Sequence, residues 1–174
     1  DANSGAAMTA LTVAHAQRLV DRSTHPSATV VGCRRLSGGA SRATWVLDLS
    51  NDAGAFHLIA QISPIASSVG VTRSVATEVA VVKAAHGAGV PTPVVYGFDE
   101  HDAELGAAWV LSSFVSGESI ARRIQRDDTY QVARTRFVAD AASALARLHG
   151  VTDPEVLDRL ANTDQVSVYR DALD

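Results

Sequence analysis

Apolar residues first recur at helical spacing at Val13, Ala16, Leu19 and Val20, directly after Thr12, a residue whose side chain caps helix N-termini. Asp21-Arg22-Ser23 and then His25-Pro26 close the segment, so a short first helix is predicted. From Thr29 the texture turns β-branched and apolar: TVVGCRRL, then Gly38-Gly39, then TWVLDLS, then Asn51-Asp52-Ala53-Gly54, then AFHLIAQI. Three antiparallel strands joined by hairpins are expected, because Asn, Asp and Gly accept the backbone angles of tight turns. Beyond a small-residue loop at 63–71, Val75, Val79, Val82 and Ala85 mark one face of a helix. Gly87 or Gly89 ends it, and Pro91 and Pro93 forbid its continuation. Two further strands follow at Val94 to Phe98 and Ala108 to Val115, separated by an acidic turn from Asp99 to Glu104.

After Gly117 the pattern becomes helical. Ser119 to Gln125 is short, whereas Tyr130, Ala133, Phe137, Ala141, Ala144, Leu145 and Leu148 make a long apolar stripe. Asp153-Pro154-Glu155 then supplies a cap, a first-turn proline and an acid that suits the helix dipole, so one more helix starts there. The order β-β-β-α-β-β followed by helices predicts an α+β fold in which sheet and helices segregate.

Composition narrows the function. In 174 residues, 47% are hydrophobic and 20% charged, a globular mixture that excludes overall disorder. A net charge of −4 gives no basic excess, which makes nucleic acid a poor partner. Cys33 is the only cysteine, so neither an intrachain disulfide nor a cysteine zinc site can form, and a reducing cytoplasm is the expected location. Apolar runs such as Val79 to Val82 are far too short to cross a bilayer, and the first residues lack the basic and apolar regions of a leader, with Met8 a candidate start.

The segment LSGGASRATWVL places glycines in a strand-to-strand connection, where backbone N–H groups can approach phosphate oxygens without a Cβ in the way. Two glycines in a hairpin also make an ordinary turn. Gly39-Ala40-Ser41-Arg42-Ala43 approximates a nucleophile elbow, but that motif needs a helix next and a strand follows. Asp99, Glu100, His101, Asp102 and Glu104 could gather a divalent cation, although such bunching between strands reads as a solvated hairpin. Arg122, Arg123 and Arg126 most simply cover a polar helix face.

Taken in order, GGASRATW, HLIAQISP, TEVAVVKAAHGAGVPTP, WVLSSFVSGES and ARTRFVADAASALARLHGV resemble the aminoglycoside phosphotransferase family, the small-molecule branch of the protein-kinase-like fold. The resemblance implies a nucleotide-binding N-terminal lobe at 29–117, with a five-stranded antiparallel sheet and one packed helix. An N-terminal segment and helix at 1–28 precede it, and the opening helices of a C-terminal lobe follow at 118–174. It further implies ATP and Mg²⁺ as cofactors and transfer of phosphate to a hydroxyl of a small molecule. Gly38, Gly39 and Ser41 would form the phosphate loop, Glu78 would sit on the helix facing the sheet, and the backbone of Ser112, Ser113, Phe114 and Val115 would meet the adenine edge. The third-strand position that carries a phosphate-gripping cation in such proteins is Gln61 here, expected to point toward Glu78.

A second departure concerns catalysis. Beyond the last strand the family pattern His-Gly-Asp-x-x-x-x-Asn could begin only at His149-Gly150, but Val151 stands at the acid position, and His149 reads as the histidine that ends the Leu-His helix. The expectation is therefore a lobe without catalytic or metal-binding residues, inactive alone, with self-association through uncovered C-lobe helices as a corollary. A kinase-like module that binds nucleotide or protein without catalysis is the alternative.

Overall fold

The computed structural model describes residues 11–37, 42–64 and 74–160. Five antiparallel strands form one sheet in the order β1-β2-β3-β5-β4: β1 Thr29–Arg35, β2 Ala43–Asn51, β3 Gly54–Pro64, β4 Val95–Asp102 and β5 Ala107–Ser113. The sequence-predicted α+β architecture is thus realised. Helix α1 (Val13–Asp21) precedes the sheet, and α2 (Val75–Gly87) is inserted between β3 and β4. Helix α3 (Ala121–Arg126), a 3-10 turn (Asp128–Tyr130), α4 (Gln131–His149) and α5 (Pro154–Arg159) follow it.

Strand alternation sorts the core into two faces. On β5, Ala107, Trp109 and Leu111 point to one side and join Trp45, Leu47, Leu49, Leu58, Ala60 and Ile62. Leu11, Ala16, Leu19 and Val20 pack into that same cluster, so α1 shares the sheet's core. Ala108 and Val110 point the other way and pack with Val75 and Val79 of α2. A strand covered on both sides needs no polar face, which is why Ala107 to Leu111 are buried without a break.

Local polar contacts fix α1 where the sheet needs it. Thr12 Oγ1 accepts from the His15 N–H at 3.2 Å, and the Gln17 amide bridges to β1 by donating to Ala28 O and accepting from the Val30 N–H. Two expectations for strand ends need correction. Strand β5 stops at Ser113, so Phe114 and Val115 lie beyond it. Strand β4 runs on through the acidic residues to Asp102, and the turn is confined to 103–106, closed by Gly106 at φ +59°.

The reason is Asp102 itself. Only 3% exposed, its carboxylate accepts from the Trp109 indole Nε1 at 2.9 Å, Leu105 N at 2.9 Å, Glu104 N at 3.0 Å and Arg22 Nη1 at 2.5 Å. Burial pushes its pKa up, but the Leu105 N–H, the indole and the guanidinium outweigh that and hold it below the usual carboxylate range. Its neighbours are also partnered: Asp99 accepts from Arg22, Glu104 pairs with Arg18 at 2.9 Å, and Glu100 accepts from the Ala76 N–H at 3.1 Å. The solvated hairpin is therefore a clamp that ties α1 and α2 to β4.

The C-terminal helices are lightly attached. Arg147 Nη1 donates to Gly89 O at 2.7 Å, Val156 is buried, and α5 touches α2. Helix α4 buries none of its side chains among the described residues.

Candidate functional site

The site face of the sheet is the one that carries α2. In-register residues of neighbouring strands point to the same side, so the pairing can be read as successive rows across that face. Val46, Ile59 and Ser112 form one row, and Thr44, Gln61 and Val110 the next. Beyond Thr44, two residues nearer the glycine connection and in phase with it, stands Arg42.

Arg42 reaches across to α2. Its Nη1 donates to Glu78 Oε1 at 2.8 Å and its Nη2 to Glu78 Oε2 at 2.5 Å, a two-pronged fork between planar groups. Glu78 is in the first turn of α2, which Ser74 caps by accepting from the Thr77 N–H at 3.1 Å. The sequence points to Gln61 as the partner of Glu78. Both carboxylate oxygens are instead held by Arg42, a residue that the strand pattern alone did not single out. Gln61 does lie on the α2 side, half-buried, with Leu58, Ala60 and Ile62 facing the opposite core.

At the other end of the rows the sheet runs out. Leu58 opposite Ser113 is the last registered pair of β3 and β5, and the Ser113 N–H donates to Val94 O at 2.8 Å. Ser112 and Ser113 are thus inside the ladder, while the backbone free to leave it is that of Phe114 and Val115. Beside Phe114 lies His57, rings 5.5 Å apart and edge-on, with His57 Nδ1 2.8 Å from Asp48 Oδ1. Gly38, Gly39 and Ser41 lie outside the described residues.

The remaining candidates do not join this site. Arg122, Arg123 and Arg126 line a shallow open depression with Ile120 and Asp127, and Arg123 is already paired with Glu118 at 3.1 Å. Cys33 donates to Leu11 O, and burial, aided by the charge of Asp48, pushes its thiol pKa up, so the thiol stays protonated. Among the described residues no three His, Cys, Asp or Glu side chains are placed to hold a metal ion, and no helix is long and apolar enough to cross a membrane.

A five-stranded sheet with one helix packed on the face that bears the Arg42–Glu78 pair is the architecture that the sequence resemblance implies. The model of the phosphotransferase enzyme family matches residues 32–172, from within β1 to near the end of the chain. The chain belongs to the aminoglycoside phosphotransferase family. A solved structure from Ralstonia eutropha JMP134, provisionally named an aminoglycoside phosphotransferase, is 20% identical over 58% of this chain, with a TM-score of 0.42. This chain spans 26% of the length of that one. No curated protein matches the sequence.

Proposed function

We propose that this chain is the nucleotide-holding lobe of an ATP-dependent kinase that phosphorylates a hydroxyl of a small molecule. The observation that carries this reading is the gradient along the α2-side face. Val46 and Ile59 make an apolar row beside the strand end at Ser113, Thr44 and Gln61 a polar one, and Arg42 with Glu78 a charged one. Two residues along a strand advance roughly 7 Å, so the apolar row and Arg42 are roughly 13 Å apart. That span and polarity suit a nucleotide lying with its base against the half-buried Ile59, above the fully buried Val46, and its phosphates toward the glycine connection. The backbone of Phe114 and Val115, leaving the ladder, would meet the base edge, and Gly38, Gly39 and Ser41 would lie over the phosphates.

ATP would supply the transferable phosphoryl group, and this chain's residues bind and orient it. Mg²⁺, the other cofactor the family implies, finds no set of three His, Cys, Asp or Glu ligands among the described residues. Aminoglycosides, choline-like alcohols, sugars and hydroxyacyl compounds all fit the family as acceptors. Because no His-Gly-Asp-x-x-x-x-Asn run occurs in these 174 residues, on this reading they hold nucleotide and do not transfer phosphate. The second reading, a module that binds without any catalytic partner lobe, draws on the neutral Gln61.

The test is calorimetric titration of the chain with ATP, together with incubation with radiolabelled ATP, Mg²⁺ and a panel of amino alcohols, sugars and aminoglycosides. Saturable binding that Ile59→Glu abolishes, with no labelled product, is expected. Absence of binding would remove the nucleotide site, and product above the no-protein control would refute the claim that the chain alone is inactive.

A further inference from the structure

We infer that Arg42 is the cation that grips the nucleotide phosphates, taking over from the neutral third-strand residue Gln61. The inference rests on the nucleotide reading above and assigns within it the one role that the sequence left without a charge.

Four observations converge on Arg42. It is in phase with Thr44, which is in register with Gln61, so all three address the α2 side of the sheet. It stands at the exit of the glycine connection, where phosphates would be covered. Its side chain is 23% exposed, walled enough to limit screening yet reachable by a ligand. A guanidinium has five N–H donors, and the fork to Glu78 uses two of them. Among the described residues no other acceptor binds Arg42, and Glu78 fixes the plane in which its remaining donors point.

The physical consequence is a change in where the charge is anchored. A cation on the third strand would be held by the sheet, whereas Arg42 is held by its neighbour Ala43 at the start of β2 and by α2. Phosphate binding and the placement of α2 are thereby tied to one side chain. A point charge at Gln61 is then unnecessary, and neutrality there avoids like-charge repulsion with Arg42.

Titrating the chain separately with ATP and with adenosine tests this, because only a phosphate contact distinguishes the two. The wild type is expected to prefer ATP. Arg42→Gln should lose about tenfold to a hundredfold in ATP affinity, the worth of a charge-assisted contact, while adenosine affinity is unchanged. Adding Gln61→Lys to Arg42→Gln should restore the ATP preference, and Glu78→Gln, which loosens the hold on Arg42 without discharging it, should weaken that preference less than Arg42→Gln does. If Arg42→Gln retains the preference, or if Arg42→Gln and Glu78→Gln lose it equally, Arg42 is a clasp for α2 and the inference fails while the nucleotide site stands. If the wild type binds adenosine and ATP alike, the inference also fails; if it binds neither, the nucleotide reading falls with it. Should circular dichroism show Arg42→Gln unfolded, Arg42→Lys takes its place: a folded lysine variant must keep the ATP preference, and its loss overturns the assignment.

Discussion

Arg22 and Trp109 meet on a single oxygen. The guanidinium Nη1 and the indole Nε1 both donate to Asp102 Oδ2, and Arg22 also lies over the indole ring, 5.5 Å from its centroid. The carboxylate is the buried member, so removing it strands the indole N–H and two backbone N–H groups inside the fold. Asp102→Ala is expected to cost about 2–4 kcal/mol, against about 1 kcal/mol for Arg22→Ala, whose guanidinium is half in water. Urea unfolding of both variants measures this; equal losses would show that the surface ion pair, and not the buried acceptor, carries the clamp.

The same carboxylate gives the protein an acid-sensitive step. Its folded pKa is depressed, so the unfolded chain binds the proton more readily. The stabilisation is present above the ordinary Asp value of about 3.9 and is lost as pH falls below it toward the folded pKa. The urea midpoint of the wild type should therefore drop on acidification through that window, and that of Asp102→Asn should drop less. Parallel curves would place the acid response on other carboxylates.

Close packing of α1's exit against β4 makes a third prediction. A Cβ added at Gly97 would lie 3.3 Å from Ser23 Cα, Ser23 Cβ and Trp109 Cζ3, and backbone cannot retreat as a flexible side chain does. Gly97→Ala should cost about 1–3 kcal/mol. At Gly87, the last residue of α2, an added methyl group would meet nothing within 4 Å, so Gly87→Ala should be neutral or stabilise by up to about 1 kcal/mol. Thermal melts of the pair decide whether packing or backbone freedom sets the difference.

Much of this architecture is legible in the sequence because single-element signals carry it. Thr12 caps α1, Asp153 caps α5 with Pro154 at its first turn, and the alternation about Leu58, Ala60 and Ile62 fixes which way Gln61 faces. What escaped depends on partners distant in sequence. Asp102 looks like a turn acid until Arg22, 80 residues earlier, is seen to neutralise it, and only then does β4 extend through it. Glu78 was recognisable as a helix acid facing the sheet, but its partner Arg42 lies in a loop 36 residues upstream, where no periodicity marks it. Register supplies that link, because it aligns Thr44 with Gln61 and so sets the phase of Arg42.

The apolar stripe of α4 is the converse case, a strong sequence signal that finds no cover within the described residues. Phe137 is 69% exposed, Leu145 51% and Leu148 40%, although their spacing of four, four and three residues from Phe137 through Ala141 sets them along one side of the helix. Side chains already in water contribute little to folding, so Phe137→Asp and Leu145→Asp should each shift stability by no more than about 0.5 kcal/mol. Their effect should appear in surface behaviour instead: an exposed apolar stripe binds hydrophobic dyes and invites a second copy of the chain. Light scattering of the wild type is expected to report a mass above that of one chain, falling to the monomer in the double variant along with dye fluorescence. A monomeric wild type without dye binding, or a double variant that unfolds several kcal/mol more easily, would mean that the stripe is covered by this chain itself.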